Sequence, residues 1–230
     1  MLTPARRRGV EILDDPNVDP EIRERSIGDV TRSNRLLGGL RAARLGVRDA
    51  TREFRDGATL LDIGSGLADI PADASRDARA RGLALTTIAV DEALSLLVAS
   101  RARVSEAVCA NALALPFRDD SIDVVMCSQV LHHFEQANAE RLVAEMNRVA
   151  RRGALVSDLR RSWLAAIGFW IVSFILRFHP VTRHDGVVSV LRGFTGRELS
   201  KLIRSVTGAT PVVRHRLGFR LTAHWRPGAA

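Results

Sequence analysis

A short apolar run that leads directly into a glycine-containing turn constrains this chain more than any other feature. Residues 60–71 read LLDIGSGLADIP. The apolar run ends at Ile63, Gly64 and Gly66 permit a sharp turn, and a helical pattern follows over Ala68–Arg81. A strand, a tight turn and a helix in this order form the first unit of a doubly wound α/β fold, in which ligands bind at the carboxyl ends of the strands.

Apolar runs and helical stretches continue to alternate along the chain. The sequence predicts strands at Thr59–Ile63, Leu85–Val90, Val104–Cys109, Ile122–Cys127 and Ala154–Ser157, and helices at Ala68–Arg81, Glu92–Arg103, Gln136–Val149 and Gly196–Val206. Two more apolar runs, Thr210–His215 and Phe219–Trp225, predict an antiparallel pair that closes the sheet edge. Strands that alternate with helices pair in parallel through right-handed crossovers. We therefore predict an α/β fold: a doubly wound, Rossmann-like, mostly parallel seven-stranded sheet with an antiparallel last strand.

The chain before the first strand predicts helices. Apolar residues recur at helical spacing over residues 19–47, and Gly38-Gly39 divides the pattern into two helices. We therefore divide the chain into an N-terminal helical cap, residues 1–56, and an α/β domain, residues 57–230. The domain carries a hydrophobic insertion at about 159–194 that should cover the substrate.

The insertion contains an uncharged run at residues 162–176. As a helix this run would measure about 22 Å, short of the ~30 Å hydrocarbon core of a bilayer, so it does not predict a membrane span. Three interpretations stand for it: a helix of the core, a lid over an apolar substrate, or a segment that dips into a membrane surface between its flanking arginines.

Charge and cysteine content limit the partners and the compartment. The chain has 34 Lys and Arg against 26 Asp and Glu, a net charge of +8, which permits attraction to nucleic acid or to an anionic membrane. The cations are scattered, and there is no tyrosine to stack bases, so nucleic acid is not an expected partner. Two cysteines, Cys109 and Cys127, build neither a disulfide scaffold nor a CxxC zinc site, so we predict no metal. With no apolar run behind the basic N-terminal residues, we expect no signal peptide and a cytoplasmic protein.

The chemistry of the turn indicates what it binds. A dinucleotide site requires a third glycine in G-x-G-x-x-G, whereas this chain has Asp69 at that place. Asp62 stands immediately before the turn. Two acids would repel a pyrophosphate and would suit a cationic ligand with an amino group.

The order Asp62-Ile63-Gly64-Ser65-Gly66 resembles motif I of the class I S-adenosylmethionine-dependent methyltransferases of the small-molecule type, such as those that tailor quinones and polyketides. Asp91, at the end of the second predicted strand, resembles the family's second acid. Residues 111–134, NALALPFRDDSIDVVMCSQVLHHF, resemble its D-A-x-x-L-P-F … F-D-x-V … L-x-H run. Asn111 stands where the family commonly has Asp, and its amide oxygen can also accept from an exocyclic amine. The resemblance covers Leu60 to Asp158.

The resemblance implies S-adenosyl-L-methionine as the cofactor. The turn would hold its aminoacyl end, the second acid its ribose, residues 111–112 its adenine, and the end of the fourth strand its methionyl portion. The cofactor-binding residues implied in this way are Asp62, Gly64, Ser65, Gly66, Asp91, Glu92, Asn111, Ala112, Ser128 and Gln129.

Methyl transfer requires a base only when the accepting atom carries a proton, and histidine, which titrates near neutrality, suits a phenol or another hydroxyl. One histidine pair follows the fourth strand, and a polar cluster lies in the segment expected to overhang the site. The candidate catalytic residues are His133, His184 and Asp185. The helical cap and the insertion would supply the walls of the acceptor site, with Asn34, Arg35, His132, Trp163, Phe169, Trp170 and Arg183 as candidate substrate-binding residues.

The predicted function is therefore methyl transfer to a hydrophobic small molecule, phenolic, aromatic, polyketide-like or quinone-like, with oxygen favoured over carbon as the accepting atom. Two alternatives stand: an RNA methyltransferase, and a non-catalytic module on the same fold that associates with RNA or a membrane. The N/D-P-P-Y/F tetrapeptide and the Pro-Cys context of nucleic-acid methylases are missing from the sequence. Peripheral membrane contact and the oligomeric state are left open.

Overall fold

One seven-stranded sheet organises the part of the chain that the computed structural model describes, residues 3–7, 9–15 and 17–228. Its strands are β1 (Ala58–Ile63), β2 (Leu85–Asp91), β3 (Glu106–Cys109), β4 (Ile122–Ser128), β5 (Ala150–Leu159), β6 (Val212–Arg216) and β7 (Arg220–Trp225). The order across the sheet is β3-β2-β1-β4-β5-β7-β6. Strands β1 to β5 pair in parallel, and β7 is antiparallel to both β5 and β6. The predicted fold class is confirmed. The final hairpin places β7 inside the sheet and β6 at its edge.

Helices cover both faces of the sheet. They are α1 (Pro20–Leu36), α2 (Gly39–Ala50), α3 (Asp69–Ala80), α4 (Leu94–Ser100), α5 (Gln136–Val149), α6 (Trp163–Ile175), α7 (Pro180–Arg192) and α8 (Gly196–Thr207). Successive residues of a strand point to opposite faces, so Leu60 packs with α2 and α3, whereas Leu61 packs with α5 and α8. This alternation explains why the strands read as nearly continuous apolar runs.

Helix α2 belongs to the helix layer of the sheet. Its Ala43 and Val47 join Met126 and Leu155 in the core on that face. Helix α1 is separated from it at Gly38, whose φ of +84° is a left-handed conformation. A Cβ atom at this position would lie 2.9 Å from the carbonyl oxygen of Leu217, so only glycine fits the corner.

A cover closes over the carboxyl ends of the parallel strands. It consists of α1, the pair α6 and α7, and a short 3-10 turn at Ile12–Asp14. Asp185 of α7 accepts hydrogen bonds from the backbone N–H groups of Ile12 (2.8 Å) and Leu13 (2.9 Å). Asp29 of α1 accepts one from the backbone N–H of His179 (2.7 Å). Helix α7 was not predicted, because its polar Arg183-His184-Asp185-Gly186 stretch conceals the helical pattern.

Candidate active site

A cavity of about 410 Å³ lies between the strand ends and this cover. We call it the inner cavity. The strand ends contribute the turn at Gly64–Gly66, together with Ser128, the last residue of β4, and Gln129, which follows it. The cover contributes Asn34 of α1 and Phe169 of α6. The sheet therefore brings five of the residues that the sequence assigned to the methyl donor into the wall of this cavity, and the cover faces them.

The turn after β1 leaves its backbone open to the cavity. Gly64 and Gly66 have φ values of +65° and +55°, which L side chains rarely adopt. A Cβ atom on Gly66 would meet no atom of the described residues within 4 Å, so a ligand can approach this backbone closely. The Gly66 N–H donates to Asp91 Oδ2 (2.9 Å), and Asp91 Oδ1 accepts from the Ala93 N–H (2.9 Å). Asp91 thereby fixes the turn from the end of β2.

Buried polar atoms without a protein partner surround the turn. Among the described residues, Asp62 Oδ1, Ser65 Oγ, Ser128 Oγ and Gln129 Nε2 are buried and have no hydrogen-bond partner. Buried polar groups are normally paired, so this concentration points to a ligand. Burial raises the pKa of Asp62 to about 7; the neighbouring Ser65 hydroxyl lowers it in part, and the negative charge of Asp91 raises it. An acceptor-rich pocket beside an open backbone fits the cationic aminoacyl end of S-adenosylmethionine.

The remaining residues that the sequence assigned to the cofactor lie outside the lining of the inner cavity. Glu92 and Asn111 are exposed at the carboxyl ends of β2 and β3, and Ala112 is partly buried. Asn111 Oδ1 accepts from the Leu113 N–H (2.7 Å), which stabilises a local turn. These residues border the open side of the strand edge, where the ribose and adenine would extend from the turn. Their contacts with the cofactor stay a prediction.

A buried histidine–aspartate pair faces the inner cavity. His132 Nδ1 lies 2.6 Å from Asp158 Oδ1, and the His132 backbone N–H donates to Asp158 Oδ2 (3.0 Å). The residues are 3% and 1% exposed. Burial opposes ionisation of Asp158, but the charge and the hydrogen bond of His132 outweigh it and lower the pKa of the carboxyl group. Asp158 as the acceptor of this bond favours a proton on Nδ1 of His132, so Nε2 is the ring atom left for another partner.

The sequence assigned His132 to substrate binding and did not select Asp158. The fifth strand was predicted to end at Ser157, whereas β5 continues to Leu159 and places Asp158 at the strand edge. The available signal was an acid after an apolar strand, at the edge where ligands bind in this fold.

His133, the predicted base, lies beside two acids of the N-terminal segment. Its Nδ1 lies 3.5 Å from Asp14 Oδ1 and 3.8 Å from Glu11 Oε2. Burial lowers the pKa of His133, but the hydrogen bond to Asp14 and the charge of Glu11 outweigh it, so the pKa is raised. The same hydrogen bond lowers the pKa of Asp14 to about 2. His133 therefore has acid partners of its own outside the strand ends, and His132, bonded to Asp158 in the wall of the inner cavity, is a second candidate for the base.

Glu11, His132 and His133 also place one potential ligand atom each within 4.8 Å of one another, which is compatible with a bound metal ion. Each of these side chains already has a protein partner. Arg192 Nη1 lies 3.2 Å from Glu11 Oε1 and supplies positive charge beside the carboxylate. Ion pairs within the protein therefore account for this cluster.

His184 and Asp185, the other predicted catalytic residues, contact each other, and only Asp185 reaches the inner cavity. His184 Nδ1 lies 2.8 Å from Asp185 Oδ1, but the His184 side chain is half exposed and lies outside the lining of the inner cavity. Asp185 is buried in that lining, and both of its oxygens accept backbone N–H groups of the Ile12–Asp14 turn. This geometry gives Asp185 a structural role in holding the cover.

The structure places only some of the predicted substrate residues at a cavity. Asn34, His132 and Phe169 line the inner cavity, whereas Trp163, Trp170 and Arg183 do not. Trp170 is 53% exposed, and Arg183 stacks on the Phe174 ring.

A second space of about 570 Å³, which we call the outer groove, lies between the α1–α2 corner, α6 and residues 217–220. Arg35 lines this groove. The inner cavity and the outer groove share Leu159, Phe169, Val190 and Arg220, so these four side chains form the partition between them.

Comparison with known proteins agrees with this geometry. Residues 61–157 match the model of the family described as "Methyltransferase domain". An uncharacterized methyltransferase from Mycolicibacterium vanbaalenii is 36% identical over 121 residues, which are 52% of this chain and 45% of that protein. The matched region thus spans less than half of that relative's length.

Solved structures share the fold at low sequence identity. The plantazolicin methyltransferase with bound SAH has a TM-score of 0.69 and 11% identity, over 92% of each chain. Human N-acetylserotonin methyltransferase with SAM has a TM-score of 0.63 and 12% identity, over 90% of this chain and 57% of that one. Magnesium protoporphyrin IX methyltransferase from Synechocystis, with bound SAM, has a TM-score of 0.57 and 9% identity, over 95% and 89%.

None of the helices in the described part of the chain combines the length and hydropathy that crossing a bilayer requires. The glycine turn and the unpaired polar atoms beside it lie at one edge of the sheet, within the segment that matches the methyltransferase family. Residues 61–157 thus match a methyltransferase domain, and the geometry of the turn fits S-adenosylmethionine as the cofactor.

Proposed function

We propose that this chain is an enzyme that transfers a methyl group from S-adenosylmethionine to an oxygen atom of a hydrophobic small molecule. The acceptor carries a phenol or another hydroxyl, as in aromatic, polyketide-like or quinone-like compounds of secondary metabolism. The observation that carries the proposal is His132, whose Nδ1 is bonded to Asp158 and whose ring lines the same cavity as the turn at Gly64–Gly66. A base in this position is required for a protonated oxygen acceptor.

The chain's own residues would contribute orientation, exclusion of water and a proton acceptor. When bound, S-adenosylmethionine supplies an electrophilic methyl group on a sulfonium. The turn and Asp62 would hold the aminoacyl end of the cofactor, and the cover would position the acceptor beside it and exclude water. His132 Nε2 would take the hydroxyl proton of the acceptor as the methyl group is received. Asp158 stabilises the imidazolium that results.

The names of the structures with this fold do not narrow the acceptor. They refer to N-acetylserotonin, to magnesium protoporphyrin IX and to plantazolicin, which differ widely in size and shape. Support for a hydrophobic acceptor comes from this chain's own cover, where Ile27, Val30, Phe169 and Val190 line the inner cavity. A base that forms a phenolate would also activate a ring carbon, so product analysis distinguishes O-methylation from C-methylation.

Replacement of His132 tests the proposal. We expect His132→Ala to lower kcat about 10²- to 10⁴-fold with a phenolic acceptor, because general-base assistance typically contributes that much. Asp158→Asn should lower kcat in the same direction and shift the pH profile. Cofactor affinity, measured by calorimetry with SAH, should change little. His184→Ala is the matched control, since it removes a histidine that is also bonded to an aspartate but lies outside the cavity.

Two outcomes would overturn this function. One is an unchanged turnover in His132→Ala with a clear loss in His184→Ala. The other is transfer of labelled methyl groups from the donor to RNA rather than to extracted small molecules.

We also propose a peripheral contact between α6 and anionic lipid, in a protein that otherwise resides in the cytoplasm. One side of α6 exposes a set of large apolar side chains: Leu164, Ile167, Trp170, Ile171, Phe174 and Ile175. Arginines adjoin this side, with Arg32 Nη1 bonded to the Leu176 carbonyl oxygen and Arg183 over the Phe174 ring. Apolar side chains bordered by cations complement an anionic membrane surface.

A further inference from the structure

The partition between the inner cavity and the outer groove contains a buried arginine. Arg220 is the first residue of β7 and pairs in register with Leu159 at the carboxyl end of β5. It is 4% exposed and lines both spaces. The sequence did not single it out, because it stands in an ordinary strand of an arginine-rich chain.

Arg220 has fewer partners than a buried guanidinium needs. Its Nη1 donates to Gln129 Oε1 (2.6 Å), and its buried Nε has no hydrogen-bond partner within the described chain. No carboxylate of the described residues makes an ion pair with it. Burial lowers the pKa of Arg220 to about 10, partly offset by the charge of Asp158, so the side chain remains cationic at neutral pH. A guanidinium has five N–H donors, and leaving them unpaired in a buried site is costly.

Arg161 is a buried arginine with a structural role, and it allows a comparison with Arg220. It is also 4% exposed. Its Nε donates to the Pro4 carbonyl oxygen (2.8 Å), its Nη1 to the Gly193 carbonyl oxygen (2.6 Å), and its Nη2 to Glu198 Oε1 (2.6 Å). Two arginines with equal burial thus differ in that Arg161 has a carboxylate partner and Arg220 has none among the described residues. Arg220 lies against ligand space on both sides.

We propose that Arg220 binds a carboxylate group of the acceptor, so that the substrate is an amphiphilic acid with its apolar part in the outer groove. This inference rests on the proposed function and names its substrate class. Guanidinium and carboxylate match in a two-bond planar geometry, which suits a fixed position between two spaces. The outer groove is lined by apolar side chains, among them Leu37, Leu164, Phe169, Val172, Leu217 and Phe219.

The position of Arg220 favours the acceptor over the cofactor as the owner of the carboxylate. The residues of the glycine turn line the inner cavity alone, whereas Arg220 also lines the outer groove. Arg220 is near enough to Asp158 for that charge to influence it. An acid held at Arg220 therefore places the methyl-accepting part of the molecule on the His132 side of the partition, with the apolar part in the outer groove.

Binding of simple amphiphiles tests the proposal without requiring turnover. In the full chain saturated with SAH, we expect dodecanoate to bind at least about tenfold more tightly than dodecanol, because an ion-paired hydrogen bond of this kind is worth about 10- to 100-fold in affinity. Arg220→Gln should abolish the preference for the acid, and Arg220→Lys should retain part of it. Arg197→Gln, a change at an exposed cation of α8, is the control and should leave the preference intact.

Stability measurements separate a ligand role from a structural one. We expect ligand-free Arg220→Met to melt at the same temperature as the parent protein or higher, and Arg161→Met to melt lower, since only Arg161 loses a full set of partners. Equal affinity for dodecanoate and dodecanol in the parent protein would overturn the proposal. So would Arg220→Gln weakening SAH rather than dodecanoate, which would assign Arg220 to the cofactor. Loss of methyl transfer in His132→Ala leaves this binding preference unchanged, so the two proposals fail separately.

Discussion

At the scale of single residues, Asp62 connects the acid–base state of the chain to cofactor binding. Its carboxyl group is 1% exposed and its Oδ1 has no partner among the described residues. With the pKa raised from 3.8 to about 7, the folded protein holds a proton that the unfolded chain releases. Stability from this group is present below about pH 4 and falls as the pH rises towards 7. A bound ammonium group would reverse this loss, because it stabilises the carboxylate.

We therefore expect SAH to bind more tightly as the pH rises from 5.5 to 7. At pH 6 binding should release about 0.9 proton, since Asp62 with a pKa of about 7 is then mostly protonated. Calorimetry in two buffers with different ionisation enthalpies measures this release. In Asp62→Asn the affinity should be lower and nearly independent of pH over this range. Proton uptake on binding, or an unchanged pH dependence in Asp62→Asn, would contradict the assignment.

Residue types alone do not distinguish the roles of His132 and His133. His132 and His133 are adjacent and were both selected from the sequence as candidates, one for substrate and one for catalysis. Their roles depend on which carboxylates reach them: Asp158 from β5 for His132, and Asp14 and Glu11 from the N-terminal segment for His133. Those partners are distant in sequence, so the pattern around LHHF could not distinguish the two rings.

At the scale of elements, the contact between α6 and α7 sets the shape of the acceptor site. Phe169 of α6 lines both the inner cavity and the outer groove. It fits there because Gly186 of α7 has no side chain. A Cβ atom on Gly186 would lie 2.0 Å from the Phe169 ring. The absence of a side chain at Gly186 therefore sets the position of Phe169 in the partition between the inner cavity and the outer groove.

Two glycine-to-alanine changes test this contact. Gly186→Ala should destabilise the protein by about 1–3 kcal/mol, as overpacking does, and should weaken binding of dodecanoate by displacing Phe169. Gly168→Ala, on α6 itself, is the matched control because a Cβ atom there meets no described atom within 4 Å. We expect Gly168→Ala to stabilise the protein by about 0.5–1 kcal/mol, the usual helix preference for alanine. Urea unfolding measures both values, and destabilisation of equal size in the two variants would contradict the model of the contact.

At the scale of the whole molecule, part of the excess positive charge lies beside the exposed apolar side of α6. The chain carries 34 basic and 26 acidic residues. Many arginines are used within the protein, as in the ion pairs of Arg148 with Glu145 and Asp119. Arg32 contacts the Leu176 carbonyl oxygen just beyond α6, and Arg183 lies over the Phe174 ring of α6. The same helix exposes Ile167, Ile171 and Ile175, so anionic lipid would find both charge and apolar surface there.

Vesicle binding tests this arrangement. We expect the protein to bind vesicles of phosphatidylcholine with phosphatidylglycerol, to bind pure phosphatidylcholine weakly, and to dissociate as salt is raised. Ile171→Glu combined with Ile175→Glu should reduce binding by about tenfold or more, because two charges replace buried apolar contacts. Val98→Glu, at a 70% exposed apolar position on α4, is the control. Absence of vesicle binding, or an equal loss in Val98→Glu, would contradict the contact.

The sequence by itself determined the sheet, the turn and the cofactor end of the site. Apolar runs of strand length alternate with helical patterns, and the residues at Asp62–Gly66 act through backbone geometry and local chemistry, so neighbours in sequence suffice to recognise them. The residues of the proposed acceptor site became apparent only from the tertiary structure. The proposed role of His132 depends on its bond to Asp158, and the position of Phe169 depends on the missing side chain of Gly186. The proposed role of Arg220 depends on its place between the inner cavity and the outer groove. Each of these depends on residues distant in sequence that folding brings into contact, and a local pattern carries no record of which distant side chain will be the partner.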